Sequence, residues 1–204
     1  MQNHVIALGR QFGSGGREIG RRLSQSLGFA YYDRELISLA AQRAHVREEL
    51  FADKDEKAAN PWLFKGFYEG GPRVKQGQSA EDILFQMQSE VIQELSEKSS
   101  CIIVGRCADH VLAGTERLVR IFIYADMEAR IQRIREKGYY EEHEIARNIR
   151  RMDRERRDYH RYYTGKEWEN VENYDMMLNS GVLGTDGCVE CILSYLKIRG
   201  LYPA

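Results

Sequence analysis

Apolar residues recur along this chain in two different rhythms. Five short apolar runs (VIALG from Val5, FAYYD from Phe29, CIIVG from Cys101, LVRIFIYA from Leu118 and YDMMLNS from Tyr174) have the length and the bounding turn residues of strands. Between and after them, apolar positions repeat every three or four residues and predict helices over 18–27, 34–44, 79–97, 127–136, 141–163 and 185–197. Ser79 followed by Asp82 suits a helix start, and Gly138 and Gly165 suit helix ends. Strands alternating with helices predict an α/β fold, a five-stranded parallel sheet flanked by helices.

The first such unit is the most informative. Val5, Ile6 and Leu8 lead directly into Gly13, Gly15 and Gly16, and Ile19, Leu23 and Leu27 then follow at helical spacing. Strand, glycine-rich loop and helix in that order form a phosphate-binding loop: main-chain amides surround the anion, the helix dipole adds attraction, and here Arg10 and Arg17 supply full charges on either side. The standard pattern is G-x-x-x-x-G-K-[ST], yet the lysine position holds Gly16 and the hydroxyl position holds Arg17. Arg17 restores charge as a planar fork for phosphate oxygens but cannot bind magnesium. A glycine-rich turn that only packs a helix on a sheet is the competing explanation.

With 204 residues, the chain has room for one well-buried domain with insertions. Its 43% hydrophobic and 30% charged residues, with 3 Pro, describe a structured, soluble, helix-rich protein. A net charge of -1 gives no general pull toward nucleic acid or an anionic membrane, so any basic site is local. No apolar run has the length of a membrane span. Cys101, Cys107, Cys188 and Cys191 without a secretory leader point to the cytoplasm. The C-x-x-C pair lacks a second ligand pair for zinc and reads as buried structural thiols.

Two segments depart from the repeating scheme. Residues 47–78 include NPWLFKGFYEGGPRVKQGQ, a glycine-rich aromatic stretch that suits a substrate cover or a homodimer contact equally well. Over 141–165, Arg147, Arg150, Arg154, Arg157 and Arg161 share one helical face. Like charges so placed repel, which a polyanionic ligand would relieve; Asp153, Glu155 and Asp158 would instead make it a solvated ion-pair helix. A phosphate loop and an arginine-lined closing segment together suit phosphoryl transfer, in which cations stabilise spreading negative charge and closure excludes water.

The motifs GRQFGSGGREIG (9–20), YYDRELI (31–37), IVGRCAD (103–109) and DRERRDYHRYYTGKEW (153–168) resemble the cytidylate kinase-like family over nearly the full length. The resemblance implies a P-loop kinase fold with an acceptor-binding insertion at about 34–98 and a helical lid at about 138–165. It further implies ATP as phosphoryl donor, magnesium as its companion, and CMP, dCMP or another small phosphorylated acceptor. Gly13, Ser14, Gly15, Gly16 and Arg17, with Arg10 and Glu18, would bind the nucleotide; Arg106 would hold the acceptor phosphate. Arg17, Arg154 and Arg161 would stabilise the transferring group, with Asp158 orienting an arginine or the acceptor. Asp33 would contact the acceptor or cap the next helix, and an ion pair is the plainer role for Arg106.

Cys107 stands where the related kinases commonly carry Asp, and their base-recognition residues are not evident in the insertion. The missing lysine and hydroxyl keep a second function in play, a non-catalytic nucleotide-binding module that signals by closing on its ligand. Nucleic-acid binding by the arginine helix has no reading motif to support it.

Overall fold

The computed structural model describes residues 3–33 and 80–201. Five parallel strands form one sheet in the order β2-β3-β1-β4-β5: β1 is Val5–Arg10, β2 Ala30–Tyr32, β3 Cys101–Val104, β4 Leu118–Tyr124 and β5 Met176–Asn179. The described helices are α1 (Gly16–Leu27), α2 (Ala80–Lys98), α3 (Ala108–Val111), α4 (Met127–Lys137), α5 (Glu142–Thr164) and α6 (Ser180–Ile198). Each of the five apolar runs contains one of these strands. The helix expected over 34–44, the Ser79 start and the aromatic stretch of 47–78 lie outside the described residues.

The alternation of β1 sets the layers. Ile6 and Leu8 face one side and pack with Ile19 and Leu23 of α1 and Cys188, Ile192 and Leu196 of α6. Val5 and Ala7 face the other and pack with Val91, Ile92 and Leu95 of α2. Because β1 is flanked by β3 and β4, both its edges are paired, so the loop that follows it rises from the sheet's interior.

Two helices differ from the expected periodicity. α3 is a single turn after β3, too short for any repeat to reveal. α6 carries an additional turn from Ser180 ahead of the expected helix, because the Asn179 side chain accepts from the Gly181 N–H and caps it; the expected helix runs on after the non-helical Gly184. Gly181, Gly184 and Gly187 hide that start, and Gly184, at φ 67°, kinks the helix within it.

Candidate functional site

The carboxyl ends of neighbouring strands β1 and β3 carry the loops in which ligands of open α/β sheets bind. After β1 the chain passes through Gln11, Phe12, Gly13, Ser14 and Gly15 into α1, with Gly13 and Gly15 both at φ 79°. That left-handed backbone is open to glycine at little cost and strained for most other residues.

Three successive carbonyls of this loop are held from behind. Arg133 Nη1 donates to Gly13 O at 2.8 Å, Ser180 Oγ to Ser14 O at 2.5 Å, and Arg130 Nη1 to Phe12 O at 3.3 Å. In a trans peptide the N–H points opposite to its C=O, so the amides of Gly13 and Gly15 are turned away from these anchors. The first-turn amides of α1 have no intrahelical acceptor, and its cap residue Gly15 supplies no side chain to them. The loop is therefore shaped to offer donors to an anion.

Ser14 is fully buried and its hydroxyl donates to Gln11 O at 2.9 Å, closing the loop internally. Arg17 is half-exposed, and its Nε lies 2.7 Å from Asp33 Oδ2. Arg10 Nη2 lies 3.7 Å from Asp33 Oδ1. Two arginines from opposite ends of the loop thus converge on the carboxylate that follows β2. Glu18 sits in the first turn of α1 and pairs with Arg22 at 2.8 Å.

On the β3 side, Gly105, Arg106 and Cys107 adopt φ of 80°, 58° and 53°. Left-handed conformation at two non-glycine residues costs energy that the surrounding contacts must hold in place. Arg106 packs over the Tyr159 ring at 5.7 Å and hydrogen-bonds its hydroxyl. Burial lowers the Arg106 pKa, opposed by Tyr159 and by the charge of Asp33. Burial likewise pushes the Tyr159 phenol up to about 12, keeping it protonated. Its hydroxyl lies 3.5 Å from Gln88 Oε1 on α2.

Helix α5 spans both loops. Its buried face carries Ile145, Ile149, Met152, Asp153 and His160. Asp153 Oδ1 accepts from Phe12 N–H at 2.7 Å, and its other oxygen pairs with Arg130. Arg156 Nη1 donates to Arg10 O at 3.1 Å. Near the far end, His160 Nε2 lies 3.1 Å from Asp109 Oδ2 on α3.

The arginine stripe shares one face as its spacing predicts, and that face looks outward. Arg147, Arg150, Arg154 and Arg161 are exposed, as is Asp158. Arg157 pairs with Glu169 at 3.3 Å and Arg161 with Glu167 at 3.5 Å. Arg10, Arg17, Asp33 and the glycines are thus brought together, with Arg106 beside them, whereas Arg154, Asp158 and Arg161 stand apart. The sequence assigned no place in the site to Arg156, Tyr159, Arg130 or Arg133, and took Asp153 only as a charge offsetting the arginine face. Asp153 had a signal, since a carboxylate beside Met152 continues the stripe of Ile145 and Ile149 and would need a partner inside.

All four cysteines are unbridged thiols, with Cys101, Cys107 and Cys188 buried. Among the described residues no group of three or more His, Cys, Asp or Glu could hold a metal ion. The hydroxyl site is taken by Arg17, Ser14 is turned inward, and Asp33 is engaged by two arginines, so these residues do not fit a magnesium ion held by the protein. Among the described residues no helix is long and apolar enough to cross a membrane.

A family model described as the cytidylate kinase-like family matches residues 5–182. A cytidylate kinase of Archaeoglobus fulgidus is 28% identical over 109 residues, covering 52% of this chain and 59% of that enzyme. An uncharacterized protein from Eubacterium ventriosum superposes with TM-score 0.71 at 24% identity over 96% of this chain and 99% of its own. Shikimate kinase from Bacteroides thetaiotaomicron gives TM-score 0.56 at 14% identity over 95% and 98% of the two chains. That from Acinetobacter baumannii, in complex with shikimate, gives 0.52 at 16% over 98% and 96%. These neighbours share the P-loop kinase fold.

Proposed function

The chain belongs to the cytidylate kinase-like family, and on that footing we propose that it moves a phosphoryl group from ATP to a nucleoside monophosphate, CMP or dCMP foremost, or to another small phosphorylated acceptor. The observation that carries this reading is the convergence of Arg10 and Arg17 on Asp33 beside a loop whose carbonyls are tied back.

Gly13, Gly15 and Gly16 offer main-chain donors to the donor phosphates, Ser14 closes the loop around them through its N–H and hydroxyl to Gln11 O, and Arg10 and Arg17 are the flanking charges. Glu18, paired with Arg22, closes the first turn of α1 beside them. Asp33 and Arg106 lie on the acceptor side, where Asp33 orients Arg17 until a phosphate takes its place. Magnesium accompanies the nucleotide; the residues here hold and orient the phosphates. Arg154 and Arg161, with Asp158 between them, reach the transferring group by a roll of α5 about its axis. The Asp153 bond to Phe12 opposes that roll, and Arg156 already stands at the loop.

Purified protein with magnesium and ATP should form ADP with one member of an acceptor panel led by CMP and dCMP. Arg17→Ala should lower that rate by about 10²-fold, the scale on which a preorganised charge acts. Running Arg154→Ala beside Arg156→Ala separates a rolling helix, in which the first falls by about 10²-fold, from a fixed one, in which only the second does. The inward-turned Ser14 and the Arg17–Asp33 pair favour a second reading, a nucleotide-binding module without transfer. Tight ATP binding with no product from any acceptor would select it.

A further inference from the structure

In the pattern G-x-x-x-x-G-K-[ST], counting back from the lysine position at Gly16 brings the leading glycine to position 10, and that residue is Arg10. The two special positions have exchanged residue types: the cation stands where a glycine is usual, and a glycine stands where the cation is usual. The exchange is enforced by packing. A Cβ on Gly16 would lie 2.6 Å from Arg10 Cβ and 3.0 Å from its Cγ, so the two positions cannot both carry side chains in this backbone.

The same side chain ends against a second glycine, one whose φ of 80° already favours that residue. A Cβ on Gly105 would fall onto Arg10 Nη1, and Gly105 itself follows β3 on the acceptor side. Arg10 therefore leaves the end of β1, crosses the open space over Gly16 and ends between Gly105 and Asp33, with its side chain only 12% exposed. Its backbone is fixed as well, since its carbonyl accepts from Arg156.

We propose that Arg10 is the phosphate-loop cation of this protein, delivered from strand β1 instead of helix α1, and that it recognises the β- and γ-phosphates of the donor nucleotide. This rests on the nucleotide reading above and adds to it the source of the missing charge. A lysine at the head of α1 is one point charge; a guanidinium lying between the donor loop and Asp33 can meet oxygens on both sides with its forked donors.

The test compares ATP with AMP, which lacks the β- and γ-phosphates, by calorimetric binding to four variants. Arg10→Met keeps the stem that packs on Gly16 and removes the charge; it should weaken ATP by about 10- to 100-fold with AMP within about threefold of wild type. Gly16→Lys should lower both Tm and ATP affinity, because its Cβ meets Arg10. Arg10→Gly should lose the ATP preference, and Arg10→Gly with Gly16→Lys, which rebuilds the usual order, should regain at least about tenfold of it over Arg10→Gly. Wild-type protein that binds no ATP would refute the nucleotide reading itself. Wild-type binding with Arg10→Met unimpaired, or a folded double variant no better than Arg10→Gly, would refute the exchange alone.

Discussion

Replacing Asp153 by Ala should be among the most damaging single changes outside the phosphate loop. Asp153 is 5% exposed and its partner Arg130 6%. The substitution strands a buried guanidinium and removes the acceptor of the Phe12 N–H. Breaking a buried pair by deleting one partner costs about 3–5 kcal/mol. For a protein of this size each kcal/mol moves the melting point by about 2–4 °C, so the expected fall is about 6–20 °C. Asp153→Asn keeps an acceptor for Phe12 and should fall less. Removing both charges together, as Asp153→Leu with Arg130→Met, should recover part of the loss, since no buried charge is then left alone. Scanning calorimetry on the four proteins measures this directly. An Asp153→Ala variant within about 1 °C of wild type would refute the assignment of Asp153 as the anchor between α5 and the loop.

Two further outcomes follow from titrating groups away from the loop. Burial raises the Asp175 pKa, but hydrogen bonds and charge from Arg120 lower it more, leaving it below the ordinary 3.8. A depressed carboxylate stabilises the fold above its unfolded pKa and ceases to do so as pH falls through its folded one. The stability advantage of wild type over Asp175→Asn should be full at pH 6 and shrink below about pH 4; a gap independent of pH in urea titrations would contradict this. Burial pushes the Cys101 thiol up to about 12 and that of Cys188 to about 11, and raises Cys107 as well. A thiol-specific disulfide reagent at pH 8 should therefore react with Cys191 alone in the native protein and with all four in denaturant.

The sheet was legible because parallel strands buried on both faces leave continuous apolar runs, and β1 and β3 are of that kind. The loop was legible because Gly13 and Gly15 sit at positive φ, where side chains are strained. The inner face of α5 was less so. Arg156 and Arg154 are two positions apart and chemically identical, so charge patterning cannot say which meets the loop; the neighbouring Met152 and Asp153 decide it by packing. Arg130 and Arg133 were hidden for another reason: they reach loop carbonyls across more than a hundred residues of sequence, a relation no local spacing encodes.

Helix α5 is fastened at two places, by Asp153 to the backbone after β1 and by Tyr159 and His160 to the turn after β3. It acts as a crossbar: the two mouths of the crevice cannot shift independently while both fastenings hold. Occupancy of either mouth that displaces the bar must alter the other's affinity, and thermodynamic reciprocity requires the same factor in both directions.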